Sequence, residues 1–325
     1  MTTDAPAIAC IGECMIEVAC LGEGLGGTPA LLGFGGDTLN TALYLAREGV
    51  NVDYHTALGD DAASAQMLAA WTGEGIGTGT VEIVAGASPG LYLVRTDAHG
   101  ERSFQFWREH SPARHLCALP GWPARVQRLR GYEWLYFSAI TLSILGEQGR
   151  GLLFDAIDAA RAGGARIAFD SNYRPRHWPD ADTARSAVLA ALRRCDLALP
   201  TFDDERALFG DTDPEQTLQR LRALGVDAIA IKLGALGALL HDVAGTRRMP
   251  APPVTDVIDT TAAGDAFNAG LLAGLIRGEP MDAAAQRGHA LAGIVIRHRG
   301  AIAPRDATAR DPSRSNPAAF SGHAA

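Results

Sequence analysis

A single lysine, Lys232, stands among the 29 basic residues of this 325-residue chain; all the others are arginine. That scarcity excludes a P-loop nucleotide site, because such a loop needs a Gly-Lys-Ser/Thr step and Lys232 follows Ile231. The catalytic-loop signature of protein kinases is also absent. Gly22-Glu23-Gly24-Leu25-Gly26-Gly27 matches the dinucleotide pattern G-x-G-x-x-G in letters only, since Thr28-Pro29 and not a helix follows it. No apolar run approaches the roughly 18 residues that cross a bilayer. The opening MTTDAP leads at once into a strand-like segment, so we expect a cytoplasmic protein with no membrane partner. A formal net charge of −8 offers no basic footprint, and nucleic acid is not an expected partner. The five cysteines include Cys10, Cys14 and Cys20, whose spacing fits no zinc pattern, so they read as free thiols.

What remains is ordinary for a globular chain: 47% hydrophobic residues, 20% charged, and a mean hydropathy near zero. A strand is predicted at residues 8–11, a helix over 39–48, a strand at 52–58 and a helix over 62–71. That alternation implies a parallel sheet flanked by helices. It breaks between residues 90 and 108, where two apolar, β-prone runs flank Asp97-Ala98-His99-Gly100, a hairpin turn in composition. Beyond Gly131 it resumes, with strands predicted at 134–138, 166–170, 197–199 and 228–233. Helices are predicted at 152–162, 184–193, 204–209, 215–224, 263–277 and 281–297. The expectation is an α/β fold with a mostly parallel central sheet and a small β-sheet lid. Residues 1–12, 34–88 and 111–325 form the main domain, and residues 13–33 and 89–110 the lid. From Asp306 the tail is polar and rich in Ala, Pro and Ser, and is expected to fray.

The chemistry concentrates in Asp259-Thr260-Thr261-Ala262-Ala263-Gly264-Asp265. Small residues at Ala262, Ala263 and Gly264 let a ligand approach the backbone. A helix starting there aims unpaired N–H groups and the positive end of its dipole at the same point. Asp265 falls in the first helical turn, where a carboxylate is favoured and expected to stay ionised. It is either a helix cap or a base beside an anion hole, which in-line phosphoryl transfer requires. Gly35-Gly36-Asp37-Thr38-Leu39-Asn40 poses the same choice between a plain capped turn and a ligand-binding helix start.

The 259–265 segment resembles the signature of the ribokinase-like sugar kinases, the PfkB family, and the 35–40 segment resembles the family's sugar-binding glycine pair. The resemblance spans about residues 7 to 306. Residues 11–17, 89–92, 100–108, 169–178 and 299–302 are similar to the branch of the family that acts on 2-keto-3-deoxy sugar acids. It implies a ribokinase-like fold, with Asp265 as catalytic base and the amides of Ala262, Ala263 and Gly264 as anion hole. Gly35, Gly36, Asp37, Asn40, Tyr92, Phe106, Arg108 and Arg174 would bind the sugar acid, the two arginines at its carboxylate and keto end. Each arginine could equally serve in a surface ion pair. ATP would meet Lys232, Gly234, Gly237, Thr201, Gly264 and His289, the histidine being equally readable as packing.

ATP and Mg²⁺ are the cofactors implied, with a monovalent cation as a further candidate. The family's Asn-x-x-Glu motif survives only as Thr201-Phe202-Asp203-Asp204, which leaves Asp204 and Glu205 as candidates near magnesium. Gln105 and Phe106 stand where the family often has tyrosine, so a shifted sugar preference is expected. A homodimer or higher homo-oligomer is the expected assembly. The competing readings are a kinase for a neutral sugar such as fructose or ribose, and a non-catalytic sugar or nucleotide sensor.

Overall fold

A computed structural model describes residues 7–22, 27, 29–96 and 102–308. The 97–100 turn, most of the 22–27 glycine stretch and the tail beyond 308 lie outside the described residues. Along the chain, β1 (Ile8–Ile11), β2 (Met15–Cys20) and β3 (Ala30–Gly35) lead into α1 (Asp37–Arg47). Then come β4 (Val52–His55), β5 (Ala57–Gly59), α2 (Ala62–Gly73), β6 (Glu82–Val84), β7 (Leu91–Thr96) and β8 (Arg102–Trp107). After a 3₁₀ turn the chain runs through α3 (Trp122–Leu129), β9 (Trp134–Ser138), α4 (Ala139–Ala162), β10 (Arg166–Asp170), α5 (Ala181–Leu192), β11 (Leu197–Ala198), α6 (Phe202–Phe209) and α7 (Pro214–Ala223). It ends with β12 (Ala228–Lys232), β13 (Ala238–Asp242), β14 (Gly245–Met249), α8 (Ala263–Ile276), α9 (Met281–Val295) and α10 (Arg305–Thr308).

Eight strands form the main sheet in the order β14-β13-β12-β11-β10-β9-β1-β4, parallel from β12 to β4. Its strands are near-continuous apolar runs because helices cover both faces; β1 and β9 are buried at every position. One layer of the core gathers Leu142, Leu153, Ile157 and Val188 from α4 and α5, and the opposite layer Leu39, Leu43, Leu271 and Leu291 from α1, α8 and α9. Helices α8 and α9 touch almost backbone to backbone: a Cβ on Gly270 would stand 2.7 Å from the Gly288 Cα. Among the described residues no helix is long and apolar enough to cross a membrane.

Four strands, β3-β2-β7-β8, make a second sheet, built from the segments expected to form a lid and hairpin. Three expectations need correction. Residues 52–58 are not one strand: the chain turns at Thr56, and β5 leaves the main sheet to pair with β6. The helix expected to begin at residue 152 already begins at Ala139 and bends at Gly146, whose φ is 65°. The parallel alternation also ends at β12, because β13 and β14 form an antiparallel hairpin that extends the sheet edge. Its turn is closed by the Asp242 side chain, which accepts from the Ala244 amide at 2.9 Å.

Candidate active site

Parallel strands deliver their carboxyl ends to one edge, and the order changes direction between β1 and β9, where such sheets open a ligand crevice. Asp170 ends β10, Lys232 ends β12, and Gly12 and Glu13 follow β1. Helix α1 starts over that edge because Gly36 permits it: a Cβ there would sit 2.1 Å from the Glu13 carbonyl oxygen. Gly35 is similarly tight, with the Tyr92 hydroxyl 2.3 Å from where its Cβ would be. A side chain at Gly36 would push α1 off the crevice, and one at Gly35 would displace the Tyr92 ring.

Asp265 sits in the first turn of α8, behind Ala262, whose φ of 60° is the only positive value at a non-glycine among the described residues. A left-handed alanine costs about 1–2 kcal/mol. The strain turns the chain sharply enough to leave the Gly264 and Asp265 amides ahead of any intrahelical acceptor, whereas the Ala263 amide, expected in the anion hole, donates to the Thr260 carbonyl at 3.2 Å.

Asn40 donates to Asp265 Oδ2 at 2.8 Å and Asn172 donates to Asp37 at 2.8 Å. Beneath them Lys232 Nζ lies 2.6 Å from Asp170, and Asn268 bridges the two, donating to Asp170 at 2.7 Å and accepting from Lys232 at 3.1 Å. Losing either partner of this enclosed pair would strand a buried charge, at a cost of about 3–5 kcal/mol. Burial pushes the Asp265 carboxyl up to about 7; Asp37 and Asp170 push the same way, against Asn40 and Lys232. Burial also raises Asp37. The expectation that this helix-start carboxylate stays ionised is therefore corrected: enclosure and the neighbouring acids Asp37 and Asp170 favour its protonated form.

Two cavities meet at this turn. One, of about 430 Å³, is lined by Gly35, Gly36, Asp37, Asn40, Tyr92, Phe106, Asp170, Asn172, Arg174, Thr201 and residues 260–265. The other, of about 310 Å³, is lined by Gly234, Gly237, residues 251–254, Phe267, His289, Gly293 and Ile296. Lys232, Thr260, Ala263 and Gly264 border both. His289 packs against Phe267 with ring centroids 4.8 Å apart and planes tilted by 50°, and burial lowers its pKa.

Most of the residues singled out by sequence thus come together. Thr201 lines the larger cavity beside Lys232 and Gly264, whereas Gly234, Gly237 and His289 line only the smaller. Arg108 does not line the larger cavity: its guanidinium pairs with buried Glu13 below the second sheet. Arg174 does, and its half-exposed side chain pairs with Asp204 at 3.2 Å. Glu205 is no metal candidate, because Ser171 and Arg220 take its two oxygens and it is 1% exposed. Among the described residues no cluster of three His, Cys, Asp or Glu side chains is poised for a metal. Sequence reading missed Asp170, Asn172, Asn268 and Phe104. Only the lone lysine hinted at them, since a buried Lys232 demands an acid.

The chain matches the pfkB family carbohydrate kinase description over residues 5–308. It belongs to that family. A 2-dehydro-3-deoxygluconokinase of Dickeya dadantii is 41% identical over 308 residues, covering 92% of this chain and 97% of that protein. One of Haemophilus influenzae is 39% identical, covering 95% and 99%. A PfkB protein crystal structure from Polaromonas superposes with a TM-score of 0.81 at 26% identity, covering 89% of this chain and 95% of that one.

Proposed function

We propose that this kinase transfers the γ-phosphate of ATP to the terminal hydroxyl of 2-dehydro-3-deoxygluconate, giving the 6-phosphate. The carrying observation is Asp265, a carboxyl poised near neutrality where a polar cavity meets an apolar one. In this reading the sugar acid fills the larger cavity and the nucleotide the smaller. Asp265, oriented by Asn40, takes the hydroxyl proton, and the Gly264 amide, at the border of both cavities, holds the charge on the transferring phosphoryl. The four-stranded sheet acts as a lid: Tyr92, Phe104 and Phe106 project from it to the sugar and exclude water. Gly35, Gly36 and Asp37 contact the sugar hydroxyls.

Arg174 binds the carboxylate, exchanging Asp204 for the substrate, and Arg108 supports the same end from below. Magnesium does not fit a cage of protein ligands here: among the described residues no three His, Cys, Asp or Glu side chains come together, and Ser171 and Arg220 take both oxygens of Glu205. A magnesium ion arriving with ATP would be held through phosphate and water. The exposed Leu31, Leu32 and Trp107 of the second sheet support a homodimer or higher homo-oligomer.

A panel of sugar acids and neutral sugars, assayed for ATP-dependent phosphorylation, tests the assignment. The 2-keto-3-deoxy acid should be preferred, and Arg174→Ala should raise its KM about tenfold or more, the loss of a charge-assisted pair. Equal or better turnover of fructose or ribose, with its KM indifferent to Arg174→Ala, would assign the enzyme to a neutral sugar.

A further inference from the structure

His177 lies at the end of the 3₁₀ turn that follows Arg174, and its ring faces Arg108. Its Nε2 is 3.4 Å from Arg108 Nη1. A guanidinium can only donate, so Nε2 is the acceptor and the ring proton sits on Nδ1, which is buried without a hydrogen-bond partner. Burial holds the imidazole's pKa down at about 4, and Arg108, Arg174 and Arg114 reinforce it, so the ring stays neutral and its Nε2 lone pair free. The ring also meets Phe106 edge to face, with centroids 5.7 Å apart and planes at 89°.

Arg108 is held at two different nitrogens, Nη2 by Glu13 and Nη1 by His177, while its third nitrogen, Nε, and Glu13 Oε1 are buried without partners. Two anchors at two corners fix the plane of a guanidinium; one leaves it free to swing. Phe106 lies under the same guanidinium, 5.9 Å from its carbon, and lines the sugar cavity.

We propose that His177 is a positioning residue for Arg108 and Phe106 at the carboxylate end of the sugar cavity, setting affinity for the acidic substrate. The inference rests on the sugar-acid reading above. Arg108 stands behind the cavity wall, so a guanidinium held in one plane acts through Phe106, keeping that ring in place against the sugar acid; this spares the ordering cost on binding, which appears in KM and not in the phosphoryl-transfer step.

The test compares His177→Leu, His177→Asn and His177→Gln in the full-length enzyme, with Arg108→Lys alongside. Gln reaches as far as Nε2 and keeps an acceptor there; Asn is too short, and Leu has none. Leu and Asn should raise the KM for the sugar acid about tenfold, the effect of one hydrogen bond to a charged group, with kcat and the KM for ATP within about twofold. Gln should recover most of the loss. A sugar-acid KM unchanged in both Leu and Asn overturns the inference, and so does Gln behaving like Leu, which would mean packing alone. Arg108→Lys separates the two claims: if it raises the sugar-acid KM while His177 variants do not, only the inference falls. If it does not, the role of Arg108 falls and takes the inference with it.

Discussion

The two cavities that meet at the first turn of α8 are built on opposite principles. The larger presents Asp37, Asp170, Arg174 and Asp265 together with two asparagines; the smaller presents Pro252, Pro253, Val254, Phe267 and Ile296. A nucleotide base offers a flat apolar face, for which shape and desolvation suffice. A small hydrophilic acid offers little to bury, so its recognition must come from charge and from pre-oriented donors. Lys232, Thr260, Ala263 and Gly264 border both cavities, and in the proposed reading phosphate would pass between them there.

The strongest way to break this comparison is to act on the border itself. Asp265→Asn should lower kcat by about 10²–10⁴, the usual worth of a positioned general base, with both KM values little changed. Activity within tenfold of the parent would remove Asp265 from the role of base. The same variant should be more stable than the parent above pH 7, read as a higher Tm. In the folded enzyme the Asp265 carboxyl is raised to about 7, whereas in the unfolded chain it ionises near 4. Between those values the folded state binds the extra proton, so stability falls as pH rises and the deficit is complete above pH 7. Asparagine carries no such charge, so lost activity with gained stability would mark an enclosed carboxylate kept for chemistry.

The pH–rate profile is the next sharpest cut. A base must be ionised to act, so kcat/KM should fall about tenfold for each pH unit below the Asp265 value and level off above it. The midpoint should lie near pH 7 in the free enzyme. A flat profile from pH 5 to 8 would place the Asp265 carboxyl back among ordinary exposed acids and remove the electrostatic contrast between the cavities.

How much of this was legible in the sequence follows from how local each signal is. The 259–265 turn, the 35–37 helix start and the strand–helix alternation are carried by residues adjacent in the chain, and local patterns reveal them. The interior of the sugar side is carried by pairs that are not: Asn172 with Asp37, Lys232 with Asp170, and Arg108 with a glutamate 95 residues earlier. A polar residue ending an apolar strand shows that something is bound there but does not name its partner. For that reason the sequence could not show that Glu13 holds Arg108 behind the cavity wall, or that Ser171 and Arg220 take both oxygens of Glu205. The β13–β14 hairpin was missed differently: its first residues follow a glycine turn that had been read only for nucleotide binding.

The smallest expected effect lies on the apolar side and isolates it. Gly293 on α9 lines the nucleotide cavity, and a Cβ there would stand 3.5 Å from the Val254 Cγ2, an ordinary contact. Gly293→Ala should therefore leave both KM values unchanged and, within a helix, add a few tenths to about 1 kcal/mol of stability. Gly293→Val adds two methyl groups that Val254 blocks on one side, so at least one must intrude on the space for the base. The KM for ATP should rise about fivefold, toward the low end of the 1–3 kcal/mol that overpacking costs, while the sugar-acid KM stays put. A valine that moved the sugar KM instead would show that the cavities are not separable, because strain at α9 would then be reaching the anion turn through Gly270 and Gly288, where α8 and α9 touch.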